Sequence, residues 1–136
     1  MPWSDPIRLP GVRGIDPDLA WDDDGTCWCT TAGVWQVRVD PHTGETFDAP
    51  HRIWSGTPGA HAPEAPHLYR TGDYWYLLIA EGGTERAHAV SVARGRTPTG
   101  PFEPLPDQPD PDARGTDQAI QNTGHGDLVQ APDGSW

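Results

Sequence analysis

Three stretches of this chain open alike, and that repeat limits the fold more than any other feature. Asp16-Pro17-Asp18-Leu19-Ala20 leads to Gly25 and Trp28. Glu64-Ala65-Pro66-His67-Leu68-Tyr69 leads to Gly72 and Trp75, and His125-Gly126-Asp127-Leu128-Val129 leads to Gly134 and Trp136. Each time an ionisable residue heads an apolar run and an aromatic follows the turn. The openings lie 48 and 61 residues apart, near the roughly 40 to 50 residues of one four-stranded propeller blade. A proline-rich stretch, Leu105 to Gln118, lengthens the second interval. The first strand of every blade lines the central channel, so Asp16, Glu64 and His125 are expected to converge there.

The fold class that follows is all-β, a propeller type made of antiparallel four-stranded sheets. The 16 glycines and 16 prolines are scattered between apolar runs and form no low-complexity block, which means many turns and short strands. The first unit, about 15–56, is expected to hold strands at Pro17–Trp21, Thr26–Thr31, Val34–Val39 and His51–Trp54. The second, about 64–104, is expected to hold Pro66–Arg70, Tyr74–Ala80, Ala87–Arg94 and an outer edge at Thr97–Pro104. A third, 123–136, opens at Gly124 and reaches Trp136 in what should be its second strand. A propeller needs at least four blades to close, so the sequence is expected to be an incomplete segment of two to three.

Composition excludes several partners. A formal charge of -11 with nine lysines and arginines repels a phosphate backbone and an anionic membrane alike. No apolar run reaches the roughly 20 residues that span a bilayer, and Met1-Pro2-Trp3-Ser4-Asp5 lacks the regions of a signal peptide, so a cytoplasmic location is expected. Cys27 and Cys29 flank Trp28 on one strand. They point to one face, are too close in sequence for an easy disulfide, and read as a buried reduced pair. The oligomeric state is not legible.

Glu64 lies between Pro63 and Pro66 at the head of a strand, so whatever it faces is met in a fixed geometry. Two carboxylates and a histidine converging on a polar channel, with Trp and Tyr nearby, are the ingredients of a sugar-cleaving site. Inverting hydrolysis needs an acid for the leaving oxygen and a base for the attacking water. Each residue also has a bland reading: a carboxylate next to proline is often a turn former, and Asp22-Asp23-Asp24-Gly25 reads as a solvated turn. A non-catalytic carbohydrate-binding fragment and a scaffold propeller are the alternatives.

Gly14-Ile15-Asp16-Pro17-Asp18-Leu19, Pro63-Glu64-Ala65-Pro66-His67-Leu68-Tyr69, Leu77-Leu78-Ile79-Ala80-Glu81-Gly82-Gly83-Thr84 and Thr123-Gly124-His125-Gly126-Asp127-Leu128-Val129, in that order, resemble glycoside hydrolase family 43. The branch they most resemble contains β-xylosidases and α-L-arabinofuranosidases. The resemblance implies a five-bladed β-propeller that hydrolyses xylose- or arabinose-containing oligosaccharides with inversion. By position, Glu64 resembles the general acid and Asp16 the aspartate that modulates the acid's pKa and orients substrate. Thr84 resembles a residue lining the sugar subsite. His125 resembles the axial histidine, which orients a substrate-binding arginine or lies by a central calcium; no cofactor is otherwise implied. His88 also falls on a family position, where a structural role is expected. The family's general base lies upstream of these motifs and its substrate-binding arginine downstream. Asp5 imitates the first motif, but eleven residues to Asp16 leave no room for a blade. The isolated chain is therefore expected to be inactive.

Overall fold

A computed structural model describes residues 4–84, 88–106, 117 and 119–136. These residues form eight β-strands: β1 (Asp18–Trp21), β2 (Cys27–Thr31), β3 (Trp35–Val39), β4 (His51–Arg52), β5 (Glu64–Thr71), β6 (Tyr74–Glu81), β7 (Ala89–Gly95) and β8 (Glu103–Pro104). They pair antiparallel into two four-stranded sheets, β1-β2-β3-β4 and β5-β6-β7-β8. Each sheet is an up-and-down meander, and the two do not close into a ring. No helix among the described residues is long and apolar enough to cross a membrane.

Turn chemistry sets where the strands stop. The β1–β2 turn closes with the Gly25 amide donating to the Asp22 carbonyl at 3.0 Å. Gly25 (φ 85°) and Gly72 (φ 58°) adopt the left-handed conformation. A Cβ would meet nothing at either site, so backbone conformation and not space selects glycine there. β4 and β8 are shorter than the sequence suggests. Beyond Arg52 the Ile53 amide still donates to the Val34 carbonyl at 3.1 Å; the ladder then ends, and Ile53 and Trp54 pack into the core.

Alternation along the strands gives each sheet two faces. Leu68, Leu77 and Ala93 are cross-strand neighbours that join Trp75, Ile79 and Phe102 against Ala20, Val34 and Ile53 from the first half of the chain. This shared face is the main core, where Leu77 and Ile79 are fully buried and each contributes about 1.5–3 kcal/mol by leaving water. Polar groups reinforce it: buried Gln36 donates through Nε2 to the Pro98 carbonyl at 3.0 Å. Buried Glu81 accepts from the Thr57 amide at 2.6 Å and the Ser91 hydroxyl at 2.5 Å.

The outer face of the first sheet carries Cys27, Cys29, Val37 and Val39, covered by Leu9 and Val12. Both cysteines are buried and unpaired, as the sequence predicts. The outer face of the second sheet presents Tyr69, Tyr76, Leu78 and Val92 to an open groove of about 260 Å³, closed in part by Leu128 and Trp136.

The expected third unit differs. No strand forms among the described residues of 119–136. The turn at Pro132–Gly134 is present, with the Ala131 amide donating to the Ser135 carbonyl at 2.7 Å. The run His125–Val129 does not pair with any described strand. Strand geometry draws its stability from a hydrogen-bonded neighbour, and Val129 stays 79% exposed without one. Trp136 lies edge-on against the Tyr69 ring, centroids 5.5 Å apart. Ala87 and most of the proline-rich stretch 105–118 lie outside the described residues.

Candidate active site

Glu64 enters the second sheet through a bulge. It pairs with Ala80 while His67 pairs with Leu78, so three residues on β5 span two on β6. Ala65 takes the left-handed conformation (φ 46°) that this requires, and the bulge re-aims the Glu64 side chain. Asp16 (φ 52°) and His125 (φ 57°) are left-handed as well. Non-glycine residues held this way cost of order 1 kcal/mol each and cluster where geometry serves function.

These strained positions meet. The Ala65 amide donates to Asp16 Oδ2 at 3.3 Å, linking the two sheets beside Glu64. His125 Nε2 lies 3.9 Å from Asp16 Oδ1. His88, just before β7, places Nδ1 3.9 Å from Glu64 Oε1. One ligand atom from each of Glu64, His88 and His125 lies within 4.8 Å of the others. The Asp16, Glu64 and His88 side chains are largely buried, whereas that of His125 is 49% exposed. Gly124 seats the His125 segment against the His88 ring, because any Cβ at position 124 would overlap that ring.

Glu64 Oε1 and His88 Nδ1 are buried with no hydrogen-bond partner among the described residues. Buried polar atoms are nearly always paired, so this pair faces the place where a ligand group or water would bind. His88, expected to be structural, thus borders the site. Topology held a signal for it: Ala89 pairs with Glu81 and Glu64 with Ala80, so β7 begins at the end of the sheet where β5 begins. Thr84 is exposed on the turn after β6, and no hydrogen bond or ion pair among the described residues ties it to Glu64 or His125.

The donor set also bears on a metal. One carboxylate and two imidazoles resemble the sites preferred by nitrogen-binding transition ions. Calcium takes six to eight oxygen ligands, and these residues supply too few, so no step below is routed through a metal.

A second polar cluster lies directly behind the first. Asp18 faces His67 Nδ1 at 3.2 Å through Oδ1 and accepts the Leu68 amide at 3.1 Å through Oδ2. Asp127 Oδ1 lies 3.9 Å from the same His67 nitrogen and accepts a short hydrogen bond from the Tyr69 hydroxyl. The hydrogen bond to Asp18 outweighs burial and holds the His67 pKa above its ordinary value, with Asp127 and Asp16 adding to the effect. The Tyr69 hydroxyl lowers that of Asp127. Burial, then the bond to Asp127, raises that of Tyr69.

Two successive four-stranded antiparallel sheets, with carboxylates at or just before their first strands and imidazoles brought against them, give the chain a blade-like build. The sequence profile of glycosyl hydrolases family 43 matches residues 1–136, and the chain belongs to that family. A non-reducing end alpha-L-arabinofuranosidase of Bacteroides ovatus is 39% identical over 99% of this chain and 26% of its own length. A xylan 1,3-beta-xylosidase of a Vibrio species is 37% identical over 99% of this chain and 27% of its own. The crystal structure of a xylan beta-1,4-xylosidase from Bacillus halodurans superposes with a TM-score of 0.80 at 34% identity, covering 89% of this chain and 26% of that one. The chain thus spans about a quarter of the length of these relatives.

Proposed function

We propose that this chain is the acid-bearing part of an enzyme that hydrolyses O-glycosidic bonds in xylose- or arabinose-containing oligosaccharides with inversion. In this reading it contributes two blades and the opening of a third to a five-bladed propeller. The observation that carries the proposal is the meeting of Asp16 and Glu64 from separate sheets, locked by the Ala65 amide on the Asp16 carboxylate. The xylosidase and arabinofuranosidase relatives point the same way.

Glu64 donates its proton to the leaving glycosidic oxygen as the bond to the anomeric carbon breaks. The unpartnered Glu64 Oε1 is free to make that contact. Asp16 holds the Glu64 backbone in place and orients the sugar, and His125 and Thr84 border the subsite. Inversion also needs a carboxylate that activates water from the opposite face of the ring, about 6.5–9.5 Å from the acid. None of the residues gathered at this site is assigned that task, so a general base lies outside the cluster. An acid or base contributes typically about 10²-fold to 10⁴-fold, and the isolated chain should turn over slowly or not at all.

The test is hydrolysis of aryl β-xylosides and aryl α-L-arabinofuranosides by the 136 residues, beside the longest reading frame of the gene that contains them. Glu64→Gln in the active form should lower the rate about 10²-fold to 10⁴-fold on substrates with poor leaving groups, and much less where the leaving group needs no proton. Unchanged hydrolysis of the poor leaving groups would overturn the assignment. Sugar binding without turnover by every form would favour a non-catalytic carbohydrate-binding role.

A further inference from the structure

We propose that Asp18, His67 and Asp127 form a second ring that positions the first, with His67 as the bridge that keeps His125 opposite Asp16 and Glu64. The proposal rests on the hydrolytic reading of those three residues and assigns their neighbours a positioning role.

The pattern behind it is regular. Asp18 follows Asp16 by two residues and Asp127 follows His125 by two. His67 follows Glu64 by three, because the bulge at Ala65 adds one residue to the β5 side. The same spacing thus recurs in all three openings, and the contacts of the second trio join it to the elements that carry the first.

The contacts show why the second ring is needed. Asp16 and Glu64 stand at the heads of strands that hydrogen-bonded ladders hold. His125 sits in a segment without a ladder, and side chains must hold it. Asp127 supplies that anchor through the Tyr69 hydroxyl and through His67. The Leu128 amide adds donations to Tyr69 Oη at 2.9 Å and to Asp127 Oδ1 at 2.8 Å. His67 in turn is fixed by Asp18, which also grips the Leu68 amide. A continuous path, Asp18 to His67 to Asp127, therefore ties the first sheet, the second sheet and the His125 segment together. Removing His67 takes away the polar side chain that Asp18 and Asp127 share, and the Asp127 anchor of the His125 segment loosens.

The experiment combines His67→Leu, His67→Gln and Asp127→Ala. Ring proton–carbon NMR spectra of His125 are recorded on the 136-residue chain, and kcat and KM are measured on the active form. His67→Leu and Asp127→Ala should shift the His125 ring resonances and lower kcat roughly tenfold to a hundredfold, the scale of a displaced site residue, with KM little changed. His67→Gln keeps a donor for Asp18 and should recover most of kcat and the original His125 resonances. Unmoved His125 resonances in His67→Leu would overturn the proposal. So would a loss of kcat that merely follows the fall in melting temperature and that glutamine does not rescue. If Glu64→Gln proves fully active, the hydrolytic reading fails on its own, and the His125 resonances still decide whether the second ring positions the segment.

Discussion

The second sheet has two apolar faces, and they meet different fates. On one side Leu68, Leu77 and Ile79 press against the first sheet and are buried. On the other, Leu78 is buried, but with Tyr69 and Tyr76 it lines a groove that a segment without a described strand closes in part, leaving Leu128 44% and Trp136 51% exposed. Residue character is similar on both sides. What differs is the neighbour: a sheet offers a continuous matching surface, whereas a segment held by side chains covers the face only in places. The first sheet falls between these cases, since Leu9 and Val12 suffice to bury Cys27 and Cys29 while Trp21 stays 54% exposed.

The sharpest way to break this comparison is to delete the same side chain on each side. Leu77→Ala should cost about 2–5 kcal/mol, as for buried leucines generally, and Leu128→Ala no more than about 0.5 kcal/mol, as for surface sites. Urea denaturation of both variants measures the difference; equal losses would mean the two faces are equally sealed. Next in size is Glu81→Ala, which strips acceptors from the Thr57 amide and the Ser91 hydroxyl. Leaving such donors buried and unpaired should cost about 1–3 kcal/mol.

Thiol labelling sharpens the intermediate case. Burial raises both thiol pKa values, that of Cys29 to about 11 with the neighbouring Cys27 adding to it, and only the thiolate reacts. Iodoacetamide should therefore modify the native protein slowly at pH 8, and Leu9→Asp, which loosens the cover, should accelerate it. Labelling at the unfolded rate in the unsubstituted protein would show that the cover is not closed.

The smallest expected effect is on pH. His67 titrates above its ordinary 6.5 when folded, so its contribution is full below that value and is lost as pH rises through the folded one. Asp127 titrates below 3.8, so its contribution holds above 3.8 and is lost as pH falls through the lowered value. The clasp on the outer face is thus strongest between 3.8 and 6.5. Hydrogen exchange at the Leu128 amide, measured against the Leu77 amide as internal reference, should accelerate relatively on going from about pH 6 to about pH 8.5. A constant ratio would mean that His67 does not hold the segment.

Much of this was legible in the residues. Runs such as Tyr74 to Ala80, bounded by Gly72-Asp73 and Gly82-Gly83, fixed strands and turns because alternation and glycine conformation act over a few residues. The repeated opening also placed Asp16, Glu64 and His125 at equivalent points, and the structure brings them together. That His88 faces Glu64 was not legible, because its neighbours in sequence carry no sign of what lies across the sheet. The strand expected at Gly124–Val129 failed for a related reason. Its pattern was adequate, but a strand is completed by a partner and none of the described residues pairs with it.

The sequence by itself determined the period, the two meanders, the reduced cysteines and the residues that head each unit, since all of these follow from local chain geometry. Only the tertiary structure decided which faces are covered, that Gly124 seats against His88, and that Asp18 reaches His67 across 49 residues of chain. Those outcomes depend on how two sheets stack and on a bulge at Ala65 that turns one side chain by a single register step. Pairings so distant in sequence are set by packing, which no local pattern records.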